Sequence, residues 1–193
     1  ISGATSASYT LTQADVGQPI TVVVSYTDAQ GTAESVSSVA TAGVSNVNDT
    51  PTGTVTISGT ATEDQVLTAD NDLGDEDGLG SFGYQWKRGG VDISGATSAS
   101  YTLTQVDVGQ SITVEVSYTD AQGTVESVSS VATAGVANVN DTPTGTVTIS
   151  GTATEDQVLT ADNDLVDEDG LGSFGYQWKR GGVEISGATS ASY

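Results

Sequence analysis

The chain of 193 residues contains no cysteine, no histidine and no methionine. The first absence excludes a fold held by disulfides. The second removes the commonest general base, and the two together remove the thiol nucleophile and the usual soft metal ligands. A metal held here must therefore be a hard cation bound through oxygen. Positive charge is scarce as well: 4 Lys+Arg stand against 25 Asp+Glu, a formal net charge of −21. A field of that sign repels nucleic acid and anionic membrane surfaces and attracts cations. No run of 18 apolar residues occurs, so no segment reads as a membrane-spanning helix. Neither nucleic acid nor membrane insertion is expected. The only basic side chains are Lys87, Arg88, Lys179 and Arg180. With no histidine to activate the many hydroxyls, no catalytic residue is expected and the chain reads as a non-enzyme.

What is present is repetition. The phrase ISGATSASY begins at Ile1, again at Ile93 and again at Ile185, a period of 92 residues. Residues 1–92 and 93–184 differ at seven positions: Ala14/Val106, Pro19/Ser111, Val23/Glu115, Ala33/Val125, Ser45/Ala137, Gly74/Val166 and Asp92/Glu184. A period of 92 is long enough for each unit to be a whole domain rather than one turn of a solenoid.

The strongest linker signal is NVNDTPTG, at Asn46–Gly53 and at Asn138–Gly145. It gathers the residues of turns and breaks, and it holds two of the three prolines. Placing the boundary there makes 50–141 one complete unit. Residues 1–49 are then the back half of a preceding copy, and 142–193 the front half of a following one. Within 50–141 apolar residues alternate in short runs between turn signals. Strands are predicted at Thr54–Ser58, Gln65–Ala69, Gly83–Lys87, Val91–Ser94, Ser100–Thr104, Ile112–Thr119 and Val125–Thr133, with no helix. Seven strands at this spacing predict an all-β fold of tandem immunoglobulin-like sandwiches. Trp86 on the third strand, and Leu103, Asp107 and Gly109 before the sixth, resemble the core tryptophan and a conserved turn of that fold. The aromatic residues Tyr84, Trp86, Tyr101 and Tyr118 fall at strand spacing and read as core rather than as a sugar-stacking platform.

The acids gather in loops. Two carboxylates about 4 Å apart repel by about 4 kcal/mol at an effective dielectric near 20, so a cluster must splay into solvent or bind a cation. In a sandwich of this type the second-to-third and sixth-to-seventh loops lie at the end where the chain enters. The first-to-second and fifth-to-sixth loops lie at the end where it leaves. The lower junction of the complete unit therefore draws on Glu63, Asp64 and Asp107, on the linker Asn138, Asn140 and Asp141, and on Asp167, Glu168 and Asp169 of the next copy. The upper junction draws on Asp15, Asn46, Asn48, Asp49, Asp75, Asp77 and Asp120. Glu155 is the Glu63 position of the following copy. Each set also has a plainer reading: Asp107 as a turn cap, Glu63 and Asp64 as a solvated pair.

A Glu in the first loop, an Asn-Asp linker near a proline, an Asp-x-Asp on the next unit and the Asp of VSYTDAQG resemble the calcium junctions of cadherin ectodomains. The linker departs from that pattern at Thr50 and Thr142. Over the whole unit, NDTPTGTVTISGTATEDQVLTA, DEDGLGSFGYQWKR and GATSASYTLTQADVGQ resemble the extender repeats of giant bacterial surface adhesins of the RTX type. The resemblance implies near-identical domains in long arrays outside the cell, exported by type I secretion, with Ca2+ bound at junctions between neighbouring repeats. It implies a structural extender that projects an adhesive region for attachment and biofilm formation. A multivalent glycan- or protein-binding module, and an accessory domain of a hydrolase, are the alternatives. The complementary halves at the two ends also predict one of two things: the tail of one molecule completes the head of another, or the chain is one window of a longer identical array.

Overall fold

The computed structural model describes residues 1–193, and every element in it longer than a single 3₁₀ turn is a β-strand. Residues 1–49 hold one hairpin, β1 (Val23–Thr27) and β2 (Ala33–Ser37). The central unit carries seven strands: β3 (Val55–Ser58), β4 (Val66–Asn71), β5 (Gly83–Arg88), β6 (Val91–Asp92), β7 (Ser100–Thr102), β8 (Ile112–Thr119) and β9 (Val125–Ser129). Residues 142–193 hold β10 (Val147–Gly151), β11 (Leu159–Asn163), β12 (Lys179–Arg180) and β13 (Val183–Glu184).

In the central unit a three-stranded sheet, β3-β4-β7, faces a four-stranded sheet, β6-β5-β8-β9, and all pairings are antiparallel. This is the expected immunoglobulin-like sandwich. The alternation that builds it is clearest in β8. There Ile112, Val114, Val116 and Tyr118 are buried, while Thr113, Glu115 and Ser117 turn outward. The core of eleven residues adds Val55, Leu67, Ala69, Leu73, Trp86, Leu103 and Val136. Each large side chain buried there contributes about 1.5–3 kcal/mol. Trp86 lies fully inside, stacked 5.9 Å from Tyr101, with its indole N–H donating to the Ser98 carbonyl at 2.8 Å.

Three strands end earlier than the alternation predicts, each for a local reason. The seventh, expected to Thr133, stops at Ser129 because hydroxyls take over the ladder. Ser130 Oγ accepts from Val114 N at 3.0 Å and Thr133 Oγ1 from Ile112 N at 3.0 Å. The fifth stops at Thr102 because Thr104 caps a 3₁₀ turn, Gln105–Asp107. The fourth stops at Asp92, where Ile93–Ala96 closes a turn over Gly95. Close approach fixes one glycine: a Cβ on Gly80 would lie 2.1 Å from the Thr119 carbonyl oxygen.

The flanking pieces repeat the two halves of the sandwich without its interior. Sixteen of the seventeen buried residues belong to the central unit, and the other is Asp15. Val22, Val24 and Tyr26 are 55, 62 and 53 % exposed, whereas their counterparts Val114, Val116 and Tyr118 are buried. Strand β12 keeps two residues where β5 has six, because β5 rests on β8 and nothing pairs along β12 on that side.

Candidate metal centre at the domain junctions

The lower end of the central unit is built by its first-to-second loop. Glu63 N donates to the Ala137 carbonyl at 2.9 Å and Ala137 N to the Ala61 carbonyl at 2.9 Å, which ties the loop to the departing chain. Asp64 then turns the chain with φ of 62°, a left-handed conformation that aspartate tolerates better than most residues. Glu63 is thereby held at 3 % exposure with Oε2 accepting from Val139 N at 3.2 Å. Asp64 itself is exposed.

The next unit meets this end with the turn Asp167–Gly170. Asp169 N donates to Asp167 Oδ1 at 2.9 Å and Gly170 N to the Asp167 carbonyl at 3.0 Å. The turn aims Asp169 back at the linker, where its Oδ2 accepts from Asp141 N at 2.9 Å. That amide, with Asn138 after it, holds the Asp169 carboxyl below the usual carboxylate range. Between them, the carboxylates of Glu63, Asp141 and Glu168 bring one oxygen each to within 4.8 Å of one another. One comes from the central unit, one from the linker and one from the next unit. No basic side chain joins them: Lys87 bridges Asp92 and Glu115, and Arg88 bridges Asp107. At that spacing each pair repels by roughly 3.5 kcal/mol at an effective dielectric near 20. The three could hold a metal ion, and the all-oxygen donor set fits a hard cation.

The upper junction repeats the frame. Asp77 N donates to Asp75 Oδ1 at 2.8 Å, and Asp77 Oδ2 accepts from Asp49 N at 2.8 Å. Asp75 Oδ2 accepts from the Tyr118 hydroxyl at 2.5 Å, and burial followed by this carboxylate pushes the phenol up. Asn48 Nδ2 donates to Glu126 at 2.7 Å and to the Asp49 carbonyl at 3.2 Å, and its repeat Asn140 keeps the second of these, donating to the Asp141 carbonyl at 2.7 Å. Asp120 Oδ1 accepts from Gln122 N and Thr124 N, both at 2.8 Å. Burial acts to raise the Asp120 carboxyl, but the surrounding amides of Thr124, Gln122 and Gly123 outweigh it, and the net displacement is downward.

Three buried side-chain polar atoms have no partner: Asn46 Oδ1, Gln105 Oε1 and Asp120 Oδ2. All three are acceptors, and all three sit on junction residues. An acceptor buried without a donor costs about 1–3 kcal/mol, which a cation or an ordered water would relieve.

Two residues at these joints carry no charge and were not anticipated. Gln105 Nε2 donates to the Glu168 carbonyl at 3.2 Å and to Asp169 Oδ1 at 3.3 Å. One repeat earlier Gln13 Nε2 donates to Asp77 Oδ1 at 2.7 Å. The only signal was their place in the repeated TLTQ phrase, at the end where the next unit docks.

Other expected ligands are used inside their own units. Asp107, read as either ligand or turn cap, is the cap. Its Oδ2 accepts from Thr104 N at 2.8 Å and the Tyr101 hydroxyl at 2.9 Å, and its Oδ1 from Arg88 Nε at 2.6 Å. Burial pushes this carboxyl up, yet Arg88, Thr104 and Tyr101 together hold it below the usual range. Asp15 caps the matching turn through Thr12 N at 2.9 Å and the Tyr9 hydroxyl at 2.8 Å. Glu155 is exposed at the far end of the chain, away from both joints. Asp70, inside β4, accepts from Ser58 Oγ at 2.7 Å, and Asp72 in the loop after it accepts from Thr54 N at 2.6 Å.

No protein-family model, curated protein or solved structure matches this chain. No helix is long and apolar enough to cross a membrane.

Proposed function

We propose that the chain is a structural spacer, a run of extender repeats from a large bacterial surface adhesin, with calcium bridging each junction outside the cell. The observation that carries this reading is the meeting of Glu63, Asp141 and Glu168, three carboxylates from three consecutive parts of the chain with no basic partner. A cation there removes their repulsion and fixes the angle between neighbours. The unpartnered oxygens of Asn46, Gln105 and Asp120 at the same joints support it. So do the long repeated phrases that resemble adhesin extenders. Extracellular calcium modules bind at about 10⁻⁴–10⁻³ M, so such sites would be empty during export and filled afterwards. The longest strand, β8, has 8 residues and so runs about 26 Å at 3.3 Å per residue, and many copies in line give reach.

The test is small-angle scattering and thermal unfolding on an array of four repeats, with calcium and with chelator. A longer, stiffer particle that melts higher in calcium is expected. Glu63→Gln in every repeat should abolish the difference. Unchanged shape and melting in calcium would reject the reading.

A further inference from the structure

Both copies of the TLTQ phrase run into a 3₁₀ turn, Gln13–Asp15 and Gln105–Asp107, and each turn parts its two polar side chains. Asp107 turns into its own unit, where Thr104, Tyr101 and Arg88 hold it. Gln105 reaches across to the next unit, where Nε2 donates to the Glu168 carbonyl and to Asp169 Oδ1. One repeat earlier Asp15 is held by Thr12 and Tyr9, while Gln13 Nε2 donates to Asp77 Oδ1. A turn locked from inside its own unit gives the glutamine a fixed platform.

The carboxylate that receives each glutamine has its second oxygen taken by the linker. Asp77 Oδ2 accepts from Asp49 N, and Asp169 Oδ2 from Asp141 N. A single carboxylate of the following unit thus ties together the preceding unit and the linker, at both joints. At the upper joint Asp77 is 3 % exposed and no basic side chain reaches it. Both its oxygens nevertheless have donors with no ion present, unlike Asp120, whose Oδ2 has none. Bonds to an ionised acceptor are about twice as strong as neutral ones. The residue type at positions 13 and 105 decides this. The two groups facing the Gln105 amide nitrogen, a carbonyl and a carboxylate, are both acceptors, which fixes the amide orientation. An acid in that place would set a second negative charge against Asp77 or Asp169, and the contact would close only around a cation. An amide closes it without one.

We infer that Gln13 and Gln105 are positioning residues of the joints: with the carboxylates of Asp77 and Asp169 they form a clasp that keeps consecutive units docked when no ion is bound. The clasp grips each following unit at one carboxylate, so the joint can still pivot about it. The same grip holds the acidic turn in place, with the Glu168 carbonyl bonded to Gln105 while the Glu168 carboxylate faces Glu63 and Asp141. An array stripped of ions therefore stays a string of docked, hinged beads instead of separating into loosely tethered ones. The clasp stands on hydrogen bonds alone, whereas the fixing of the joint angle by an ion rests on the calcium reading above.

The test spin-labels the full chain at Thr56→Cys and Thr148→Cys, equivalent exposed positions of β3 and β10 on either side of the lower joint, in a sequence with no other cysteine. Pulsed electron double resonance in chelator should give one bounded distance peak. Gln105→Glu should abolish that peak. Gln105→Glu combined with Asp169→Asn exchanges amide and carboxylate between the two positions at unchanged net charge. The new amide can donate to the new carboxylate while its oxygen still accepts from Asp141 N, so the peak should return. A merely structural role for Gln105 would not be rescued by this exchange. Labelled chain with Gln105 and Asp169 intact that is as broad in chelator as Gln105→Glu, or an exchanged chain that stays broad, would overturn the clasp. Calcium added to the chain with both residues intact should narrow the peak further, and Glu63→Gln should remove only that narrowing. A peak present in chelator and unchanged by calcium upholds the clasp and rejects the calcium reading, so the two failures are told apart.

Discussion

The backbone N–H of Asp141 donates to the carboxylate of Asp169 at 2.9 Å, across the boundary between one unit and the next. Asp49 and Asp77 make the same bond at 2.8 Å one repeat earlier. A linker amide is thus anchored on the domain it leads into, before any ion is considered. Asp77→Ala removes this anchor and the Gln13 contact with it. Hydrogen bonds to charged groups contribute about 1.5–3 kcal/mol each, so the first joint should loosen. The expected result is faster relative tumbling of the 1–49 segment in NMR relaxation, with chemical shifts of the core around Trp86 unchanged.

Asp107 and Arg88 form an ion pair with the two atoms 2.6 Å apart, in which the carboxylate is fully buried and the Arg88 side chain is 27 % exposed. Truncating one member leaves the other charge without compensation. Arg88→Ala should therefore lower the unfolding free energy of the central unit by about 3–5 kcal/mol. Urea denaturation followed by Trp86 fluorescence, in a Trp178→Phe background, measures it.

The folded pKa of Asp107, Asp120, Asp164 and Asp169 is depressed relative to the ordinary 3.8. A depressed acid binds its proton more weakly folded than unfolded. Its contribution is complete above 3.8 and is lost as pH falls through the folded value. With no histidine in the chain, no such titration falls between pH 5 and 8 from that source. Thermal melting should be flat across that range in chelator and should drop below about pH 4. Asp107→Asn should flatten the acid limb.

The same tryptophan occurs in two settings. Trp86 is fully buried, while Trp178 lies tilted against Tyr193 at 5.8 Å in a half-sandwich with no buried residue. Trp86→Ala should cost about 3–5 kcal/mol, the range for a large aromatic removed from a core. Trp178→Ala should leave central-unit stability unchanged at concentrations where the chain is monomeric. Differential scanning calorimetry of both variants checks the contrast.

Much of the fold was legible because period-two burial leaves a direct mark: Ile112–Thr119 was predicted with its final bounds. Strand ends were less legible, because Ser130 and Thr133 replace ladder carbonyls with hydroxyls, and a hydroxyl in a Ser/Thr-rich chain carries no distinguishing pattern. At the joints, charge marked Glu63 and Asp141 as ligands, but in the next unit it favoured Asp167 and Asp169, whereas Glu168 between them is the residue that meets the other two carboxylates. It could not say that Asp107 faces Arg88 instead, since that depends on a partner nineteen residues away across the sandwich. It also gave no hint of Gln13 and Gln105, whose amides act through position alone.

The way the chain enters and leaves the central unit sets how it bears tension. It arrives beside β3 at one end and departs at the other, with Ser130 and Thr133 bonded to β8 and Val136 to Gln110 and Gly109 just before it. A pull on the two linkers runs parallel to the strands, while the bonds holding the terminal segments lie across them. The load is thus shared as shear over several bonds at once instead of peeling them in turn, and each bead resists stretching more than its modest core would by itself suggest.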